Sequence, residues 1–254
     1  MAATRGSEPG AVVTALAADD MPLLYEDEEE EVGESNPHYM TIAILLFGLR
    51  AHLRQRTQLQ VYSNLNLYYA RRDRRANVDP DVMVVSSNQA EAENADSYRI
   101  GEDGPSPVLV CEVLSPRTAV KRDLDVKVRI YAQLGVSEYL LIDTRGEFLP
   151  QRMLLKRLRA DGTYADEQDA DGGVTSSLGF RVVWDEDGLI RVLDATTDKH
   201  YARPDEAADE AEARHRAEAR AAAEAAARQS AEERMGELEA ELARLKQTAV
   251  KQLD

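Results

Sequence analysis

Apolar side chains recur at Ile42, Leu45, Leu46, Leu49 and Leu53, the spacing of one helical face. Ser35 or Asn36 can cap that helix and Pro37 suits its first turn, so the pattern predicts a helix to about Arg56. From Leu59 the period changes to two. Val61, Ser63, Leu65, Leu67 and Tyr69 alternate, which predicts one strand reaching about Tyr69. After a basic turn, Val82 to Val85 forms a short apolar strand introduced by Asp79-Pro80-Asp81. A polar loop then leads to Val108-Leu109-Val110-Cys111-Glu112-Val113-Leu114, which apart from its glutamate reads as a strand buried on both faces. Ser115-Pro116 closes it, and a helix is expected from Thr118 to Leu134, stopped by Gly135. Val120, Leu124, Val128 and Tyr131 make its inward stripe. Tyr139 to Ile142 is another buried strand, and residues 147–193 read as shorter strands between Asp/Gly turns.

From Pro204 onward the sequence is Ala, Glu and Arg, a helical composition. Met235, Leu238, Leu242 and Leu245 give an a/d seam over about two heptads, while alanine dominates upstream. The order helix, strands, helix, strand indicates an α/β body, with strands too few and too irregularly connected for a doubly wound nucleotide fold. Neither GxGxxG nor GxxxxGK[ST] occurs, so the phosphate-cradling routes are closed.

The chain has 254 residues and one cysteine, which excludes a disulfide framework or a cysteine-rich zinc module. Its formal net charge of −16 is unevenly spread: −9 over residues 1–34, −5 over 204–254 and −2 over the remainder. The repulsive charge sits in the flanks, so the body can still meet nucleic acid. Three parts are expected: an acidic, mostly disordered arm at 1–33 containing Glu26 to Glu31, a domain at 34–203, and a helical tail with a short coiled coil at 204–254. The longest apolar run, Ile42 to Phe47, falls far short of the ~20 residues that span a bilayer. With no secretory leader visible after Arg5, the expectation is a soluble, cytoplasmic protein without membrane partners.

The informative residues are charges where the pattern asks for apolar groups. Glu112 sits mid-strand. Either its face is solvated, or an embedded carboxylate there costs several kcal/mol unless paired. Asp81 opens the preceding strand; Asp beside Pro is ordinary turn chemistry, yet two carboxylates at matching places on neighbouring strands can share a divalent cation. Lys127 lies at the margin of the inward stripe, either snorkelling outward or pointing to the strand end that carries Glu112. Asp123 is one turn earlier on its face. Two carboxylates and a lysine around Mg²⁺ (or Mn²⁺) make a phosphodiester-hydrolysing site.

At these residues a resemblance emerges. Asp79-Pro80-Asp81-Val82-Met83-Val84-Val85 and Leu109-Val110-Cys111-Glu112-Val113-Leu114-Ser115-Pro116 resemble the two signature strands of the Uma-two family. The helix with Asp123, Lys127 and Tyr131, followed by Gly135-Val136-Ser137-Glu138-Tyr139, strengthens the match. These bacterial restriction-endonuclease-like proteins belong to the PD-(D/E)XK nuclease superfamily. The resemblance spans roughly residues 34–195, and the Ala/Glu/Arg tail is similar to one subgroup. It implies a restriction-endonuclease-like core, a mixed sheet flanked by helices, acting as an endonuclease on DNA. Asp81 and Glu112 carry over as metal carboxylates and Lys127 as the lysine. The superfamily's usual lysine lies two residues after the acid, where this chain has Leu114, so activity depends on Lys127 acting from the next helix. Glu34 and His38, at i and i+4, are accessory candidates with Asp123; capping and solvation account for the first two equally well.

Arg71, Arg72, Arg74 and Arg75 form the dense basic cluster of the body, with Lys156, Arg157 and Arg159 a second candidate. Either contacts nucleic-acid phosphates or keeps a hairpin tip soluble. The alternative to the enzyme is a non-catalytic nuclease-fold interaction protein that self-associates through its C-terminal helix as a homodimer or higher oligomer. An acidic DNA mimic is a third reading, resting on the arm's charge alone.

Overall fold

The computed structural model describes residues 35–70, 75–86, 95–116 and 119–251, and the chain divides after Arg203 into two units. The first begins with helix α1 (Asn36–Leu53), then β1 (Leu59–Ser63), β2 (Asn66–Tyr68), β3 (Asn77–Val78), β4 (Val82–Ser86), β5 (Ser97–Arg99) and β6 (Leu109–Val113). A π-helical stretch, Ala119–Val126, runs into α2 (Lys127–Gln133). Strands β7 (Glu138–Ile142), β8 (Met153–Leu158), β9 (Tyr164–Glu167), β10 (Val174–Thr175), β11 (Phe180–Trp184) and β12 (Ile190–Asp194) follow.

The central sheet has six strands in the order β1-β4-β6-β7-β8-β9. Its one parallel pair is β6 with β7, a pairing that needs a crossover; the π-helical stretch and α2 supply it. Because side chains alternate across a strand, the sheet divides its apolar residues between two cores. Leu109, Cys111 and Val113 of β6, with Val82 and Val84 of β4, pack with Ile42, Leu45 and Leu49 of α1. Val110 and Leu114, with Met83 and Val85, pack with Ile130 and Tyr131 of α2 on the other face. The expected architecture, a mixed sheet flanked by helices, is the one observed.

Strands β10, β11 and β12 form an antiparallel sheet whose last member packs on α1. A Cβ at Gly48 would stand 2.7 Å from the Val192 side chain, so only glycine allows α1 and β12 this approach. β3, β2 and β5 form a third sheet.

Three expectations are corrected locally. Ser35 is the backbone cap of α1, but no side-chain hydrogen bond caps the helix, and α1 ends at Leu53 rather than Arg56. The strand expected from Leu59 to Tyr69 is two strands. Asn64 adopts φ +50°, a left-handed conformation that asparagine tolerates, and it breaks the strand. Val61 therefore enters the α1 core while Leu65 and Leu67 enter the α2 core. The helix expected over 118–134 is π-helical to Val126 and α-helical only from Lys127. Gly135 ends it at φ +74°, as the sequence predicts.

The second unit is α3 (Pro204–Lys251), a continuous helix of 48 residues. Asp205 and Glu206 in its first turn complement the helix dipole. Among the described residues no helix is long and apolar enough to cross a membrane.

Candidate active site

The antiparallel register pairs Met83 with Val110 and Val82 with Cys111. One step further along that register puts Asp81 opposite Glu112. Alternation aims both carboxylates at the α2 side of the sheet, with Met83, Val110 and Leu114. The Asp81 backbone is held because its carbonyl accepts a hydrogen bond from the Asn64 amide at 3.1 Å. Its side chain is held because the Val113 amide donates to Oδ2 at 2.6 Å. The strand break at Asn64 thus helps fix Asp81.

Glu112 is buried, so its strand has no solvated face. Lys127, at the first turn of α2, is buried as well and points inward rather than snorkelling. Its Nζ lies 2.8 Å from Glu112 Oε1 and 3.2 Å from Asp123 Oδ1. Tyr131, one turn after Lys127, donates its hydroxyl to the same Glu112 Oε1 at 2.8 Å. The Tyr139 hydroxyl donates to the Asp123 carbonyl at 3.0 Å and anchors the π-helical stretch to β7. π-helical turns accumulate at functional sites. Here the stretch ends at the lysine.

Burial sets the electrostatics. It pushes the Asp81 carboxyl from 3.8 up to about 6, against the Val113 amide, Lys127 and His38, which pull it down. Burial likewise raises Glu112 well above the carboxylate range, with Lys127 opposing and Asp81 and Asp123 adding to the rise. For Lys127 burial acts to lower the pKa, but Glu112, Asp123 and Asp79 together outweigh it and hold the ammonium above its ordinary value. Three buried carboxylates thus face one buried ammonium. When all are ionised the cluster carries an excess of two negative charges, which a divalent cation offsets. The buried Asp123 Oδ1 meets Lys127 as an ion pair without a directed hydrogen bond, consistent with an anionic excess.

Asp81 and Glu112 are the residues fit to hold such a cation. Mg²⁺ commonly takes one or two protein carboxylates and fills its remaining positions with water and phosphate oxygens. Among the described residues, no group of three or more His, Cys, Asp or Glu side chains is placed to hold an ion.

Of the accessory candidates, His38 is buried in the first turns of α1, its Nε2 3.9 Å from Asp81 Oδ1. Asp123 joins the lysine, and Glu34 lies outside the described residues. So do Arg71, Arg72 and Arg74; Arg75 is exposed beside them. Two members of the second basic candidate are engaged elsewhere, while Arg159 is exposed. Lys156 pairs with Asp166 at 2.7 Å, and Arg157 pairs with Glu138 and with Glu167. Those charges are already compensated across the sheet.

Two residues enter that the sequence did not mark as site members. Tyr131 looked like a core aromatic on the inward stripe, and its position four residues after Lys127 was the available signal. Asp79 acts on Lys127 from the turn before β4 and stands 3.5 Å from Arg122 Nη2. Two other buried acids have structural work. Glu138 accepts from Ser176, Ser177 and Arg157. Asp143 accepts from the backbone amides of Arg145, Gly146, Phe148 and Leu149. Of these three buried strand-end and mid-strand acids, Glu112 alone is satisfied by a tyrosine and a lysine.

Residues 24–191 match the family model Uma2, described as "Putative restriction endonuclease", and the chain belongs to that family. Among solved structures it is similar to one described as "a putative nuclease belonging to DUF820 from Anabaena variabilis". Identity is 14%, over 56% of this chain and 73% of that one, with a TM-score of 0.43. No curated protein matches the chain.

Proposed function

We propose that the protein is a divalent-cation-dependent nuclease that hydrolyses phosphodiester bonds of DNA, acting in the cytoplasm. One observation carries the reading: a buried lysine from α2 meets a mid-strand glutamate whose cross-strand neighbour is a second buried carboxylate. Membership of a family described as restriction endonucleases supports it. Asp81 and Glu112 would hold Mg²⁺ or Mn²⁺, which when bound polarises a phosphoryl oxygen and acidifies water.

The protein's own groups do the rest. Lys127 keeps its proton, because its carboxylate neighbours hold the ammonium above its ordinary range. It is therefore a donor and a positive charge, not a base. That suits it to orient an attacking water and to offset charge growing on the phosphoryl oxygens. Tyr131 and Lys127 both bind Glu112 Oε1, which fixes the carboxylate's rotation. The Val113 amide does the same for Asp81.

A second reading is favoured by one feature: Leu114 occupies the place of the usual lysine and is buried, while Lys127 is engaged by two carboxylates. On that reading the protein keeps the fold as a non-catalytic interaction module. Self-association through the C-terminal helix belongs to both.

The two separate on plasmid, linear, single-stranded and branched DNA with Mg²⁺, Mn²⁺ or EDTA. The nuclease reading expects metal-dependent cleavage that Glu112→Gln abolishes. Cleavage of none of these substrates, or cleavage unchanged in the variant, would reject it.

A further inference from the structure

Helix α3 carries exposed large apolar residues: Met235 is 61% exposed, Leu238 59% and Leu242 53%. They are spaced three and four apart, and Leu245 continues the series in sequence. With Met235 and Leu242 at a and Leu238 and Leu245 at d, this is a coiled-coil seam. The helix, about 72 Å long at 1.5 Å per residue, does not need a partner merely to stay helical. Alanine dominates it, and i,i+4 pairs such as Arg228–Glu232 at 3.0 Å support it. In a lone helix the large apolar side chains of Met235, Leu238 and Leu242 stay exposed to water. Upstream the a and d places fall to Ala231, Arg228 and Glu224, which bounds the seam.

We infer that the occupant of this face is a second copy of α3, parallel and in register. The charges beside the seam decide the orientation. In a parallel dimer each g residue faces the e residue five positions later in the partner. Arg234 then faces Glu239 and Glu241 faces Lys246, both attractive. An antiparallel pair that stacks Leu238 on Leu242 and Met235 on Leu245 instead sets Glu239 against its own copy and Glu241 against its own copy. Both contacts are repulsive. Parallel pairing also starts both helices at the same end, so the domains that precede Pro204 are tethered at one end. On the nuclease reading, this supplies two sites for the two strands of a duplex.

The test uses the full chain without DNA, so it does not depend on the nuclease reading. Sedimentation velocity across the micromolar range should show a monomer–dimer equilibrium, abolished in Leu238→Glu/Leu242→Glu. Those residues are exposed in α3, so the circular dichroism of the first unit should not change. Leu245→Cys should form an interchain disulfide under mild oxidation, since in parallel register residue 245 meets its own copy. The unmodified chain, with Cys111 buried, gives the background. Arg234→Glu should weaken the dimer about threefold to tenfold, and adding Glu239→Arg should restore it. A chain that stays monomeric, a dimer indifferent to the leucine changes, or a dimer without a Leu245→Cys disulfide would overturn the inference.

Discussion

Lys127 Nζ and Glu112 Oε1 stand 2.8 Å apart, joining the first turn of α2 to the middle of β6. Both side chains are almost completely buried. Removing one member of such a pair leaves the other charge uncompensated, which costs far more than a surface pair is worth.

Lys127→Met therefore leaves Asp81, Glu112 and Asp123 facing one another without a cation. Urea unfolding near neutral pH should show a loss of about 3–5 kcal/mol. The loss should shrink at about pH 5, where carboxylates take up protons. A loss that does not change with pH would mean that packing alone explains it.

The buried carboxylates give a pH dependence of their own. Asp81 sits near 6 in the folded chain against an ordinary 3.8, and Glu112 shifts the same way. Between those values the folded state binds more protons than the unfolded one, so stability is lost as pH rises from about 4 through about 6. The raised Lys127 does not alter this window, because its contribution is fully present below the unfolded lysine value. In EDTA the melting temperature should fall across that range, and Mg²⁺ or Mn²⁺ should reduce the fall. A flat profile in EDTA would contradict the charge balance described for the site.

How much of this was legible in the sequence follows from what each residue's neighbours reveal. Glu112 stood out because a carboxylate interrupted an apolar run, and Asp81 because it opened the adjacent strand. Lys127 was ambiguous. At the margin of a helical stripe, its direction depends on the turn before it, and periodicity does not reveal that the turn is π-helical. Tyr131 was hidden for a different reason: an aromatic on an inward stripe reads as packing, and its hydroxyl bond to Glu112 exists only once β6 and α2 are docked. The break at Asn64 escaped because alternation continues unchanged through the left-handed residue while the strand switches cores.

Tyr131→Phe removes one of the two groups that fix Glu112 Oε1 and leaves the ring in its core. Hydrogen bonds to charged groups contribute about 1.5–3 kcal/mol, so cleavage should drop roughly tenfold or more. Steady-state kinetics of the variant would check this; unchanged rates would make the hydroxyl a structural contact only.

The role proposed for Lys127 can be tested by placing the lysine on the strand instead. Lys127→Leu should cost about 10²–10³ in cleavage rate, the range seen for lost transition-state donors. Leu114→Lys/Lys127→Leu places an ammonium two residues after Glu112 on the same strand face, and part of the activity should return. A double variant as inactive as the single one would count against interchangeable positions.

Packing gives a prediction outside the site. Gly48→Ala drives a methyl into Val192, with the ideal Cβ only 2.7 Å away. Overpacking of this kind costs about 1–3 kcal/mol. Thermal unfolding should show it, and Gly48→Ala/Val192→Ala should recover much of the loss.

The central claim is that Asp81 and Glu112 hold a divalent cation. Calorimetric titration of Mn²⁺ into the DNA-free protein at neutral pH tests it most directly. The account predicts one saturable site per chain, with proton release on binding, lost in both Asp81→Asn and Glu112→Gln. No binding to the unaltered chain, or binding undiminished in both variants, would contradict it.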